Sequence, residues 1–269
     1  MKESKICKNC DSKLQDLYCS KCGQRDAELL SLNDLFSDFF SNMFSFDSRF
    51  FLSLKYLISK PGFLTKEYWS GVRVKYLPPL RIYLIISLLY FAVIPLLADK
   101  NPTVLYTKDG ESRAFVIDID DNEPIIFKLL KETMNKGFLQ IFKKGTNIDS
   151  MIISALSTAM FVLMPLMGFI LLLLYKSKQL FYSYHLITVL HFHSFIFLIL
   201  LLESIPILNL FTPIIIITYS ILMLKRVYLE SWVKSIVKFI LLFIIYIPIT
   251  VFMQITIAAV KIFFLGYYS

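Results

Sequence analysis

Stretches without a single charged residue recur through the last 190 residues of the chain. They run 17 to 26 residues, and the first begins directly after Arg81. About 20 apolar residues in a helix cross the hydrocarbon core of a bilayer. The pattern predicts five transmembrane helices, at about 80–98, 150–175, 179–202, 205–224 and 239–260.

Prolines interrupt four of these five stretches, and only 179–202 has none. Transmembrane helices tolerate proline, because neighbouring helices satisfy the backbone groups that it frees. The stretch 205–224 is the least regular: Pro213 falls near its centre and Glu203 precedes it. A re-entrant segment is the alternative to a fifth full crossing at this position.

The region before the membrane domain, residues 27–79, is predicted to be cytoplasmic, with amphipathic helices over residues 29–60 followed by a basic juxtamembrane segment. Ser31 is a suitable N-cap, and a second helix is predicted from about Ser48 to Lys60, ended by Pro61-Gly62. The polar face of the first helix is acidic, which favours docking against the protein's own membrane domain over lying on lipid. Its apolar positions follow the spacing of one helix face: Leu32, Leu35, Phe36, Phe39, Phe40, Met43 and Phe44.

Composition agrees with a membrane protein, since 57% of the residues are hydrophobic and soluble domains average about 45–50%. Cations set the orientation. Thirteen Lys and Arg lie up to Arg81, two at 176–178 and four at 225–238, against eight in the 99–149 loop and Lys261. Short cytoplasmic loops carry the excess of cations. The N-terminus is therefore predicted in the cytoplasm and the C-terminus outside.

The loop 99–149 is then extracytoplasmic. Its sequence predicts a β-hairpin that turns at Asp109-Gly110, followed by an amphipathic helix from about Pro124 to Lys144. Four acidic residues lie between these elements but lack the spacing of a calcium loop, so they are interpreted as a solvated patch.

The basic run that adjoins the first span has six cations and only Glu67 as an acid between residues 55 and 81. Ordinary topology signalling explains such a run. A specific headgroup or phosphate contact through Arg73 and Arg81 is the alternative.

All four cysteines lie in residues 1–26, the cysteine head, as Cys7-x2-Cys10 and Cys19-x2-Cys22. Two such knuckles eight residues apart present four thiolates to one tetrahedral zinc ion. Positive φ is expected at Asp11 and Gly23, which follow the knuckles. A thioredoxin-like site needs a larger fold, and a disulfide needs an oxidising compartment. The spacing predicts a zinc ribbon with one structural Zn²⁺.

The three histidines, His185, His191 and His193, all fall in the third predicted span. Ionisable groups inside a bilayer indicate function by default. His185 and His193 lie about 80° apart around a helix, and about 12 Å along it; His191 lies roughly opposite to His193. One helix cannot bring the three to one metal. Packing through interhelical hydrogen bonds, a substrate or proton path, and metal or catalytic use remain open.

Three motifs together resemble an uncharacterised family of bacterial membrane proteins, common in Bacteroidetes and classed only as a domain of unknown function. They are the head ending YCSKCGQ, the stretch PGFLTKEYWSGVRVKYLPPLRIYL, and YHLITVLHFHSF. The resemblance implies this organisation and the bacterial inner membrane, but no activity. It rests on Cys7, Cys10, Cys19, Cys22, Gly23, Gln24, Pro61, Gly62, Gly71, Arg73, Tyr76, Pro79, His185, His191 and His193.

The sequence thus predicts an α-helical integral membrane protein with a zinc ribbon at residues 1–26 and a membrane domain at 80–269. No catalytic residue is identified, because HExxH, nucleophile-elbow and P-loop motifs are absent. The leading hypothesis is a non-enzymatic adaptor or sensor whose ribbon contacts a cytoplasmic protein, with no nucleic-acid partner. A small-molecule or ion transporter is the alternative, and a lipid-acting enzyme comes third.

Overall fold

The computed structural model describes residues 6–14, 16–26, 32, 49–97, 124–143, 148–203 and 209–267. The first predicted amphipathic helix and the predicted β-hairpin lie outside the described residues. Within them the chain is helical, and in the cysteine head the backbone pairs only at two isolated bridges. The α-helices are α1 (Arg49–Ser59), α2 (Phe63–Ser70), α3 (Pro79–Leu97), α4 (Ile125–Lys143), α5 (Ile148–Leu174), α6 (Tyr182–Leu202), α7 (Thr212–Tyr228) and α8 (Trp232–Tyr267).

Three of these helices are long and apolar enough to cross a membrane. Their membrane-length apolar parts are Ala155–Leu174 in α5, Tyr182–Leu202 in α6 and Trp232–Leu265 in α8. The structure therefore has a membrane-length apolar helix at three of the five predicted positions. The helices at the other two, α3 and α7, are shorter in apolar length: α3 is apolar over Pro79–Ile94, and α7 has 17 residues.

The bounds of α7 correct the sequence-based prediction for residues 205–224. The helix begins at Thr212, so Pro213 occupies its first turn and not its centre. Proline suits this position because the first backbone N–H groups of a helix have no intrahelical acceptor. The helix also continues to Tyr228 and has Lys225 and Arg226 in its last turn, where cations compensate the negative end of the helix dipole.

The last helix is likewise longer than predicted, because α8 has 36 residues and continues through Pro248. The predicted span 239–260 marked only the stretch between Lys238 and Lys261. A charge ends the part of a helix that suits hydrocarbon, but Lys is a good helix former and does not end the helix itself. The charge-free stretch therefore underestimated the element.

The chain divides into two compact units, residues 1–93 with 164–244, and residues 94–163 with 245–269. In the first unit, α1 and α2 pack against α6 and α7. The Tyr219 hydroxyl of α7 donates to the Leu57 carbonyl of α1 at 2.8 Å, and its ring stacks on Phe195 of α6. Helices that precede the spans in sequence are thus part of the core around α6 and α7.

The turn between α1 and α2 is the Pro61-Gly62 pair, which confirms the predicted helix end within one residue. Gly62 has φ of 75°, and a Cβ there would lie 2.9 Å from Val227 Cγ2 and 3.1 Å from the Met223 carbonyl oxygen. Arg226 Nη1 donates to the Pro61 carbonyl at 2.9 Å. The turn is therefore pressed against α7, and this close approach requires glycine.

Candidate metal centre

The two halves of the cysteine head have the same backbone structure. Cys7 N–H donates to the Ser12 carbonyl and Asp11 N–H to the Cys7 carbonyl, both at 2.9 Å. In the second half, Cys19 N–H donates to the Gln24 carbonyl and Gly23 N–H to the Cys19 carbonyl. Asp11 and Gly23 both have positive φ, at 58° and 73°, which confirms the prediction. Each half is one turn that points two sulfur atoms to the same side.

The four sulfur atoms converge. Cys7 Sγ lies 3.6 Å from Cys22 Sγ, and Cys10 Sγ lies 3.6 Å from Cys19 Sγ; all four lie within 4.8 Å of one another. None of the four thiols forms a disulfide. Tetrahedral zinc, with Zn–S bonds of about 2.3 Å, separates its sulfur ligands by about 3.8 Å. This donor set fits one metal ion, and thiolate chemistry selects soft cations such as zinc.

Two of the thiols differ in their readiness to ionise. Hydrogen bonding with Ser12 lowers the pKa of the Cys10 thiol to about 6. Partial burial instead raises the pKa of the Cys22 thiol to about 11. At neutral pH the Cys10 thiol is therefore largely ionised without metal, whereas the Cys22 thiol loses its proton when a cation binds to the sulfur.

The head is docked on the segment that joins α2 to α3. The side chain of Gln24 is buried, its Nε2 donates to the Gly71 carbonyl at 2.6 Å, and its Oε1 accepts from Arg73 N–H at 3.0 Å. One amide thus satisfies a carbonyl and an N–H two residues apart, as a neighbouring strand would. Gln24 lies two residues after Cys22, and its carbonyl accepts from the Cys19 N–H, so the same turn carries two metal ligands and the docking contact.

The first half of the head holds the same segment. Asn9 Oδ1, between the two ligands Cys7 and Cys10, accepts from Lys75 N–H at 3.0 Å. The aliphatic stem of Lys8 lies against Gly71. Both knuckles therefore contact residues 71–75, which we call the docking segment.

Helix α1 holds the other side of the docking segment and the residues that follow it. Arg49 Nη1 donates to the Val74 carbonyl at 3.1 Å, and Ser53 Oγ accepts from Leu77 N–H at 2.9 Å. Two residues later α3 begins at Pro79. The docking segment therefore links the cysteine head mechanically to the start of α3.

The predicted headgroup residues lie on either side of this junction. Arg81 is buried in the first turns of α3. Arg73 is half-buried, and its guanidinium lies 5.8 Å from the ring centre of Tyr68. Arg73 is thus part of the docking segment and Arg81 belongs to the helix that follows it, and their contact with a headgroup stays a prediction.

The three predicted histidines are buried and have separate partners. His185 Nδ1 shares a hydrogen bond with the Tyr228 hydroxyl of α7 at 2.7 Å, and His191 Nδ1 shares one with the Thr65 hydroxyl of α2 at 3.0 Å. His193 Nδ1 lies 3.0 Å from the Val189 carbonyl of its own helix. The structure does not bring the three imidazoles to one point.

The contact at His191 was not foreseen from the sequence. His191 is nine residues into α6, so Thr65 meets the helix about 13 Å from its start. Trp69, one turn later in α2, donates from Nε1 to the Tyr184 carbonyl at 3.1 Å. Helix α2 therefore lies along the first half of α6. Both contacts join two of the motifs that carry the family resemblance, PGFLTKEYWSGVRVKYLPPLRIYL and YHLITVLHFHSF. Neither motif by itself indicates which residues of the other it contacts.

A buried polar cluster surrounds the partner of His185. The Tyr228 ring stacks on Tyr175 with centroids 3.5 Å apart, and Lys238 Nζ lies 3.8 Å from the Tyr175 ring centre. Lys238 also pairs with Glu230 at 2.8 Å, and both side chains are largely buried. Sequence analysis had counted Lys238 only as a topology signal.

Three polar atoms of this cluster have no hydrogen-bond partner within the part of the chain that the structure describes: Tyr175 Oη, His185 Nε2 and Glu230 Oε2. Buried polar groups are usually satisfied. A small cavity of about 10 Å³ lies farther along the same helices, between Val189, Met223 and Leu242. None of the histidines lines it, and its walls are mainly apolar.

One known protein family matches the region that contains the docking segment. A family model described as "Protein of unknown function (DUF3667)" matches residues 47–91. The matched range contains α1, α2, the docking segment and the first part of α3. No curated protein and no solved structure matches the sequence at a significant level.

Proposed function

We propose that the chain is a non-enzymatic membrane adaptor or sensor, whose cysteine head binds one structural zinc ion and contacts a cytoplasmic protein. The observation that carries the proposal is the docked head. It is held to the docking segment by Gln24 and Asn9, while Ile6, Leu17 and Tyr18 remain 61%, 69% and 60% exposed. A metal-held domain with exposed apolar and aromatic side chains suits protein recognition.

The membrane placement that we propose has five spans, with α3 and α7 crossing in addition to the three long helices. The charge distribution supports this arrangement, because the N-terminal region and the short loops at 176–178 and 225–238 then lie on one side with 19 of the 28 Lys and Arg. That side is the cytoplasm of a bacterial inner membrane, where thiols stay reduced and available to a metal.

Copurification tests the adaptor proposal. The full-length protein is purified from its native membrane as wild type, as Leu17→Ser with Tyr18→Ser, and as Leu229→Ser. Leu229 is 71% exposed in the turn after α7 and serves as the control. We expect a protein that accompanies wild type and the control but not the double variant. If the same proteins copurified with all three forms, the result would contradict the proposal.

Elemental analysis tests the metal. We expect one zinc per chain in wild type and substantially less in Cys10→Ser, since a single site uses all four thiols. A different metal at one equivalent would contradict zinc alone. An unchanged content in Cys10→Ser would contradict the site.

A transporter is the second candidate, and the unpartnered Tyr175 Oη and His185 Nε2 beside the Glu230–Lys238 pair favour it. Such a path predicts flux by the purified protein in liposomes, and the flux should be lost in His185→Asn, because Asn cannot titrate as imidazole does. The adaptor proposal predicts no flux in either form.

A further inference from the structure

Helix α4 is divided lengthwise into an apolar and a polar side. At about 100° per residue, one half of the circumference between residues 126 and 138 carries Ile126, Leu129, Leu130, Met134 and Gly137, with Thr133 as its one polar residue. The opposite half carries Lys128, Lys131, Glu132 and Asn135 together with Phe138, and Phe127 and Lys136 lie at the two boundaries. The apolar half is exposed over its first turns, since Ile126 is 74% exposed and Leu130 is 43% exposed. A helix in water would not present this side to solvent.

The same apolar side meets α8 in the second unit. A Cβ at Gly137 would overlap the Ile262 carbonyl, so the two helix backbones touch and only glycine permits the crossing. Ile262 lies three residues before the end of the apolar span at Leu265. Helix α4 therefore crosses α8 near the end of its membrane-length part.

We propose that α4 is an interfacial helix, which lies on the lipid surface where α8 leaves the membrane. At the same level α8 also exposes apolar side chains, Val260 and Phe264, on the side away from Ile262. The polar side of α4 has the lysines that helices on a membrane surface typically carry. Lipid is thus the occupant that accounts for both the exposed apolar half and the position of the crossing.

Photo-crosslinking in the full-length protein tests this helix. A photoreactive phenylalanine derivative is introduced at Leu130 or at Glu132 in the native membrane. These positions are two residues apart, about 200° around the helix. They are comparably accessible, because the Glu132 side chain is 57% exposed and Leu130 is 43% exposed. A third variant at Phe252, which is 69% exposed on α8, serves as the lipid-facing reference.

We expect lipid adducts at Leu130 and at Phe252, and several-fold fewer at Glu132, when the products are identified by mass spectrometry. All variants should reach wild-type abundance, which excludes misfolding as the cause. Equal lipid labelling at Leu130 and Glu132 would overturn the proposal. So would adducts of Leu130 with another protein or a second copy of the chain, or none at Leu130 while Phe252 is labelled.

Discussion

At the scale of single residues, Gln24 is the side chain on which the docked head most depends. A primary amide has one acceptor and one donor group, and here these match the Gly71 carbonyl and the Arg73 N–H of the docking segment. Alanine would remove both hydrogen bonds and leave the buried Gly71 carbonyl and Arg73 N–H unsatisfied. Metal binding would not be touched, because the ligand sulfurs are provided by other residues.

Gln24→Ala is therefore expected to raise amide hydrogen exchange at Arg73 by roughly 5–10-fold, since one net hydrogen bond contributes about 1 kcal/mol. Exchange at Lys75 should change less, because Asn9 holds that amide from the other knuckle. Hydrogen–deuterium exchange on the zinc-loaded protein measures both. Unchanged exchange at Arg73 with full metal content would show that the head does not rest on this contact.

At the scale of elements, the contact between α2 and α6 is built around a buried polar pair. Thr65 is 0% exposed and His191 is 2% exposed, and their side chains lie 3.0 Å apart. Inside a membrane domain such a bond aligns two helices, and a lone partner is left without water. This packing role was one of the open readings of the histidines.

Thr65→Val preserves shape but removes the hydroxyl, so it should lower the free energy of unfolding by about 1–3 kcal/mol. His191→Leu should cost a similar amount, and the double variant less than the sum, because the two share one interaction. Thermal unfolding in detergent measures this cycle.

Ser194→Ala is the matched control. Ser194 is also buried in α6, but its hydroxyl donates to the Leu190 carbonyl of its own helix, which the backbone already serves. It should be nearly silent. Additive effects of Thr65→Val and His191→Leu would contradict the coupling of α2 to α6.

At the scale of the whole molecule, the number of crossings decides where the short loops lie. If all five apolar helices cross, Lys178 is cytoplasmic and Gly110 lies outside. If only α5, α6 and α8 cross, both positions change sides, while the N- and C-termini keep theirs. The termini alone therefore cannot distinguish the two arrangements.

We expect a reporter inserted at Lys178 to be active inside and one at Gly110 to be active outside, as the positive-inside rule requires for the Lys176–Lys178 turn. A fusion after Ser269 should report the outside in both arrangements and serves as the control. A Gly110 reporter that is active inside would reduce the spans to the three long helices.

The sequence by itself determined the features that depend on residues close together in the chain. The converging cysteines follow from two short turns, the end of α1 from Pro61-Gly62, and the long apolar helices from uninterrupted apolar length. Chain geometry over a few residues constrains such features, so spacing and composition suffice to predict them.

Only the tertiary structure decided which distant side chains meet. Gln24 finds its carbonyl 47 residues away, His185 its hydroxyl 43 residues away, and His191 its hydroxyl 126 residues away. Many polar side chains could have satisfied each group equally well, and the choice follows from how the helices pack. For the same reason, charge-free length misplaced the ends of α7 and α8: it reports the transfer of side chains into lipid, whereas the ends of a helix depend on backbone hydrogen bonds and capping.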